Sequence, residues 1–180
     1  MLPYFVVFRQ TANIFSALKW QLFTSAFIIA AVILFFIGKR QGIFSDYDIS
    51  KREERPKFYF IVMALAVAYL LSALFFKGIL FPLSIIAFGI CAALIAFAIV
   101  SYRLKASGHV AVACAFVLTM GSMYGQSMFM ALVWIRPLVA WSRFYLKRHT
   151  VHEIIAGGVL VTIITSLTFL VGKYLYGFLP

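Results

Sequence analysis

At 180 residues the chain has the length of one domain, yet 64% of it is hydrophobic, only 12% is charged and its mean hydropathy is +1.03. Soluble domains carry about a quarter charged residues, so this composition excludes a water-soluble enzyme. It also excludes a nucleic-acid-binding module: the formal net charge of +11 sits on too little extramembrane chain, and such cations serve anionic headgroups or an anionic substrate.

Residues 1–14 are apolar up to Arg9 and Gln10, too short to span a bilayer, and read as an interfacial or half-inserted segment. They lack the basic start and small-residue cleavage site of a signal peptide, so the N-terminus is expected to be retained. The first span is expected from Phe15 to Ile37, with Lys19 snorkelling to the interface and Gly38-Lys39-Arg40 closing it. The longest polar stretch follows, Gln41 to Lys57, with Asp46, Asp48, Lys51, Arg52, Glu53, Glu54, Arg55 and Pro56.

A second span reads from Phe58 to Phe76, a tight turn at Lys77-Gly78, and a third span from Ile79 to Val100 with Pro82 in its first turn, where proline is tolerated. After the basic loop Ser101–Gly108 come a fourth span, His109 to Tyr124, a turn marked by Gly121 and Gly125, and a fifth span, Ser127 to Trp141, containing Arg136-Pro137. A sixth span runs from Glu153 to about Phe169, with Lys173, Tyr174 and Tyr176 as its interfacial end. Cys91 and Cys114 fall inside apolar runs and read as packing residues.

The expectation is therefore all-α: one integral membrane domain over 1–180, a bundle of about six transmembrane helices. The Gln41, Ser101 and Ser142 segments follow one, three and five crossings, which places all three on one membrane face. With them go all five acidic residues and all three histidines, His109, His149 and His152. Titratable chemistry gathered on one face predicts a site there.

Two of these segments carry the chemistry. In Ser142–Glu153, SRFYLKRHTVHE, Arg143 offers a planar fork of donors suited to phosphate oxygens, and His149 is a nucleophile or acid–base at neutral pH. If a helix starts near His149, Glu153 lies one turn on, where a carboxylate fixes the ring tautomer. In Lys105-Ala106-Ser107-Gly108-His109, Ser107 is a candidate N-cap, Gly108 permits close backbone approach, and a helix start binds anions.

Ser-Gly-His, followed by Ser-Arg, five residues, His, three residues and an acid, resembles the type 2 phosphatidic acid phosphatase superfamily of membrane lipid phosphatases. The resemblance covers Asp46 to Gly157, in motif segments 46–56, 105–109 and 142–153. It departs from the family pattern at three positions. Arg55-Pro56 fits the first motif, but its Lys position falls on Asp48, leaving Lys51 or Arg52 to supply that cation. Ala106 replaces a Pro, and Glu153 replaces an Asp.

The resemblance implies that His149 attacks phosphorus and forms a phosphohistidine, that Glu153 holds its ring, and that His109 protonates the leaving oxygen and then activates water. It implies that Arg52, Arg55, Lys105, Ser107, the Gly108 amide and Arg143 hold the phosphate, with no metal or other cofactor. The implied partners are a lipid phosphate and the bilayer, with no nucleic acid. Candidate substrates are a polyprenyl phosphate or diphosphate, phosphatidate, phosphatidylglycerol phosphate and the lipid A phosphate, with the polyprenyl carriers placed first. The implied location is a bacterial or archaeal cell membrane with the site on its outer face.

The alternatives are a lipid phosphotransferase on the same scaffold, a non-enzymatic anion channel or transporter, and an inactive family member. Plainer readings stand beside the sharper ones. Lys39, Arg40, Lys147 and Arg148 read as interface anchors, Asp46 and Asp48 as loop-structuring residues, and His152 as a headgroup or solvent contact. Arg136 reads as pairing with carbonyls freed by a Pro137 kink, ahead of a second phosphate subsite.

Overall fold

The computed structural model describes residues 2–47, 49 and 51–176, and every regular element among them is a helix. They form two compact units, Met1–Leu94 and Ile95–Pro180.

In the first unit α1 (Leu2–Thr11) folds back on α2 (Ile14–Arg40). The reversal is local: Ala12 takes a left-handed conformation at φ 51°, and Asn13 caps α2 by accepting the Ser16 N–H at 3.0 Å. Val6 and Val7 of α1 and Ala17 and Trp20 of α2 are buried. A short 3-10 turn, Arg52–Glu54, leads into α3 (Arg55–Lys77), which has Pro56 in its first turn, and α4 (Pro82–Ser101) follows. Tyr69, Leu70, Ala87 and Cys91 form a core against which Phe23, Phe27 and Met63 pack. Thr24 donates to the Trp20 carbonyl, so the Tyr69 hydroxyl 3.0 Å away donates to Thr24, a satisfied polar pair inside an apolar interface.

In the second unit α5 (Gly108–Tyr124) is the central helix, burying Val110, Ala111, Ala113, Cys114, Val117, Met120 and Met123. Gly125, at φ 88°, turns the chain into α6 (Gln126–Leu132), and α7 (Ile135–Tyr145) and α8 (Val151–Tyr176) complete it. Both cysteines are buried free thiols, as packing residues would be.

Four stretches are long and apolar enough to cross a membrane: Ile14–Arg40, Arg52–Lys77, Pro82–Ser101 and Val151–Leu175. Only 6% of the best α2 window is buried, so Ile28, Ile29, Val32 and Ile33 face outward. An all-apolar helix this exposed needs lipid around it, and the protein is membrane-embedded. The expected fourth span is α5, shorter at 17 residues.

The expected fifth span is not one helix. It breaks at Val133-Trp134 because Pro137, four residues on, has no N–H for the Val133 carbonyl and its ring crowds that carbonyl. The Arg136 N–H takes over that carbonyl at 3.3 Å, a tighter i+3 bond.

Candidate active site

The Ser142–Glu153 stretch is a turn closed at both ends by capping. Where α7 ends, Lys147 takes the left-handed conformation at φ 52°. Its N–H bonds the Phe144 carbonyl at 2.9 Å, and the Arg148 N–H bonds the Arg143 carbonyl at 3.1 Å. This is the Schellman pattern, built with a lysine where glycine is usual. Where α8 begins, Thr150 Oγ1 accepts the Glu153 N–H at 3.4 Å, and Glu153 Oε2 accepts the Thr150 N–H at 2.9 Å. Those reciprocal bonds are a capping box. His149 stands between the two caps, so backbone bonds on both sides fix where its ring emerges.

The Lys105–His109 segment docks on that turn. The Ser107 N–H donates to the Glu153 carbonyl at 3.0 Å. Gly157, one turn further along α8, lets the two backbones meet: a Cβ there would lie 2.6 Å from the Ser107 carbonyl oxygen. Ala106 and Ser107 are consequently buried. Ser107 is the N-cap residue of α5, as its position suggests, but its side chain makes no capping bond. Its hydroxyl is instead fully buried, with no hydrogen-bond partner among the described residues. Beside it the first N–H groups of α5 lack intrahelical acceptors. A buried hydroxyl and a helix start together suit an anion.

His149 connects the two segments. Its Nδ1 lies 3.1 Å from the Lys105 carbonyl and 3.4 Å from Glu153 Oε2. Both neighbours are acceptors, so the neutral ring carries its proton on Nδ1 and keeps the Nε2 lone pair for chemistry. Only 6% of the His149 side chain is exposed, against 17% for Glu153. Burial, then the Lys105 charge, push the imidazole pKa below its usual 6.5, while the Glu153 carboxylate and the Lys105 carbonyl pull it up. The ring is thus neutral at neutral pH, the state a nucleophile requires.

Lys105, Ser107, His149 and Glu153 are therefore brought together by direct contacts. Gly108 and His109 follow Ser107 in the first turn of α5, both exposed, and Arg143 closes the last turn of α7 with its Nε buried. His152 is exposed. Arg52 and Arg55 belong to the first unit, where Arg52 is exposed and Arg55 Nε reaches the Ile49 carbonyl at 3.5 Å. Asp48 lies outside the described residues. Lys39, read as an interface anchor, sits 3.9 Å over the Tyr47 ring. Glu54 structures the loop that also carries Asp46: it is buried and accepts the Ser45 N–H at 2.9 Å.

Arg136 departs from its expected role. Its backbone, not its guanidinium, takes the freed Val133 carbonyl. The side chain lies over the Phe129 ring, 5.2 Å from its centroid, and close enough to the Cys114 thiol to hydrogen-bond it.

Sequence reasoning missed Thr150, Gly157 and Lys147 as residues that place the site. The Thr-x-x-Glu signal was present before an apolar run, whereas nothing in the sequence distinguishes Gly157 from its neighbour Gly158. Among the described residues no three His, Cys, Asp or Glu side chains converge as metal ligands would. Compared with protein-family models, with curated proteins and with solved structures, the chain matches none of them.

Proposed function

We propose that the protein is a membrane-embedded lipid phosphate phosphatase, with about six membrane crossings and its site at one membrane face. The observation that carries this is the pair of acceptors at His149 Nδ1, which leaves Nε2 nucleophilic beside a cation, a buried hydroxyl and a helix start. The three-motif resemblance to the type 2 phosphatidic acid phosphatases supports the same reading.

In this reading Nε2 attacks phosphorus, the P–N bond forms as the P–O bond to the lipid breaks, and Nδ1–H gives its excess positive character to Glu153 and the Lys105 carbonyl. His109 protonates the departing oxygen, then takes a proton from the water that releases phosphate. Lys105 and Arg143, with the Ser107 hydroxyl and the Gly108 amide, hold the phosphoryl oxygens. Preorganised donors meet the charge that develops on those oxygens, and in phosphoryl transfer that does most to lower the barrier. A site without a soluble cover suits a substrate arriving sideways from the bilayer, on the outer face of a cell membrane.

The test is phosphate release by detergent-purified protein on a panel of lipid phosphates with EDTA present, beside His149→Ala. Release that survives EDTA and falls by about 10³-fold or more in the variant is expected. Release that EDTA abolishes, or that His149→Ala retains, would overturn the proposal.

A further inference from the structure

The second unit contains a groove that the phosphate chemistry does not use. It lies between α5, α7 and α8, has a volume of about 460 Å³, and is walled by Cys114, Pro137, Ala140, Gly158, Val159 and Thr162. It begins at Val110 and Ile155, in the first turn of α5 and the second of α8, below the segment that carries His149. Its wall is apolar apart from one cation, Arg136. Thr162 spends its hydroxyl on the Gly158 carbonyl at 2.7 Å.

A guanidinium in an apolar groove is costly unless an acceptor meets it. The only acidic residue of this unit is Glu153, already engaged by Thr150 and His149. Among the described residues Arg136 meets a ring face and a thiol, weak partners for five N–H donors. It lies seven residues before Arg143 on α7, roughly 10 Å along the axis. Because Arg136 lines the groove, it stands beside whatever follows the phosphate into it.

We infer that this groove holds the start of the lipid chains and that Arg136 donates to an acyl ester carbonyl a few bonds below the phosphate. This rests on the lipid phosphatase reading and narrows it to acyl lipid phosphates. A prenyl chain is hydrocarbon from its first carbon and would leave the guanidinium desolvated without an acceptor.

The experiment measures binding, by shift of the thermal unfolding midpoint in detergent, together with phosphate release. The ligands are a diacylglycerol phosphate, its dialkyl ether analogue with the same chains, and a prenyl monophosphate. The proteins are wild type, Arg136→Met and Arg136→Lys. Wild type should bind the diacyl lipid about tenfold more tightly than the ether, the worth of one charge-assisted hydrogen bond. Arg136→Met should erase that difference, and Arg136→Lys should keep part of it. Equal binding of ester and ether by wild type, a comparison that needs no variant, would overturn the inference, as would tighter binding of the prenyl lipid. An ester preference with no phosphate release from any lipid would uphold the groove assignment while removing the phosphatase reading.

Discussion

Two polar segments, one in each unit, are built in opposite ways. In the second unit, only Leu146 to Thr150 separate α7 from α8, and backbone and capping bonds at both ends fix them. In the first unit, the chain between α2 and α3 is much longer. It is held from within by Glu54 on the Ser45 N–H and by rings, with Phe44 stacked 5.3 Å from Phe35 and edge-on to Phe58 at 6.4 Å. A short turn with both helix ends capped, and with two acceptors on the ring, holds His149 in a single place. The long loop spends Glu54 on holding itself closed. The lesson is that a carboxylate's neighbours, not its presence in a motif, decide whether it serves chemistry: Glu153 serves both a cap and the His149 ring, whereas Glu54 serves a loop.

The contrast can be broken most severely at Gly157. Gly157→Ala places a methyl group 2.6 Å from the Ser107 carbonyl oxygen, so the Ser107 segment must lift off α8. The expected cost is about 1–3 kcal/mol in stability and, because misplacing a positioned group by about 1 Å is worth on the order of 100-fold, a comparable loss of phosphate release. Unfolding midpoints and rates on one lipid phosphate check both.

Smaller changes separate the two segments. Thr150→Ala removes half of the capping box and should cost about 1 kcal/mol, with a fall in rate because His149 is its neighbour. Glu54→Gln weakens the Ser45 bond at a similar cost, about 1 kcal/mol, and should leave the pH dependence of the reaction in place. If Glu54→Gln moves that profile as much as substitutions at Glu153 do, the division of labour drawn here is wrong.

The smallest effects are in the pH profile itself. The His149 pKa is lowered from 6.5, so the reactive neutral ring persists below that value. The acid limb of kcat/KM should accordingly fall below 6.5. The Glu153 carboxylate raises this pKa and the Lys105 cation lowers it. Glu153→Gln should therefore shift the limb further down and Lys105→Met should shift it up. The same sign applies to stability: between the folded and unfolded pKa values the unfolded chain binds more protons. This contribution is complete above 6.5 and is lost as pH falls through the folded value.

Much of the architecture was legible because apolar runs ended at glycine or charge. The runs from Phe15, Phe58 and His109 became α2, α3 and α5, with starts within three residues of the expected ones. The break at Val133-Trp134 was hidden because proline acts on a carbonyl four residues upstream, so the disruption appears before the residue that causes it. Ser107 and Arg136 were legible as special and misassigned in detail. A sequence shows that a hydroxyl stands at an N-cap or that a cation follows a freed carbonyl. It does not show that packing against Gly157 buries the hydroxyl, or that a backbone N–H reaches the carbonyl first. Contacts between segments far apart in the chain, such as Lys105 with His149, were reachable only through the motif resemblance.

The central claim is that His149 acts as a nucleophile through Nε2, and the most direct measurement is identification of the phosphorylated atom. Purified protein is mixed with a phosphorus-labelled lipid phosphate, quenched in alkali within milliseconds, and the labelled residue and ring position are determined by mass spectrometry and NMR. The expected result is an acid-labile phosphoryl group on Nε2 of His149, absent from His149→Ala. A label on Nδ1, on another residue, or no phosphoryl-enzyme at any time while phosphate is released would contradict it.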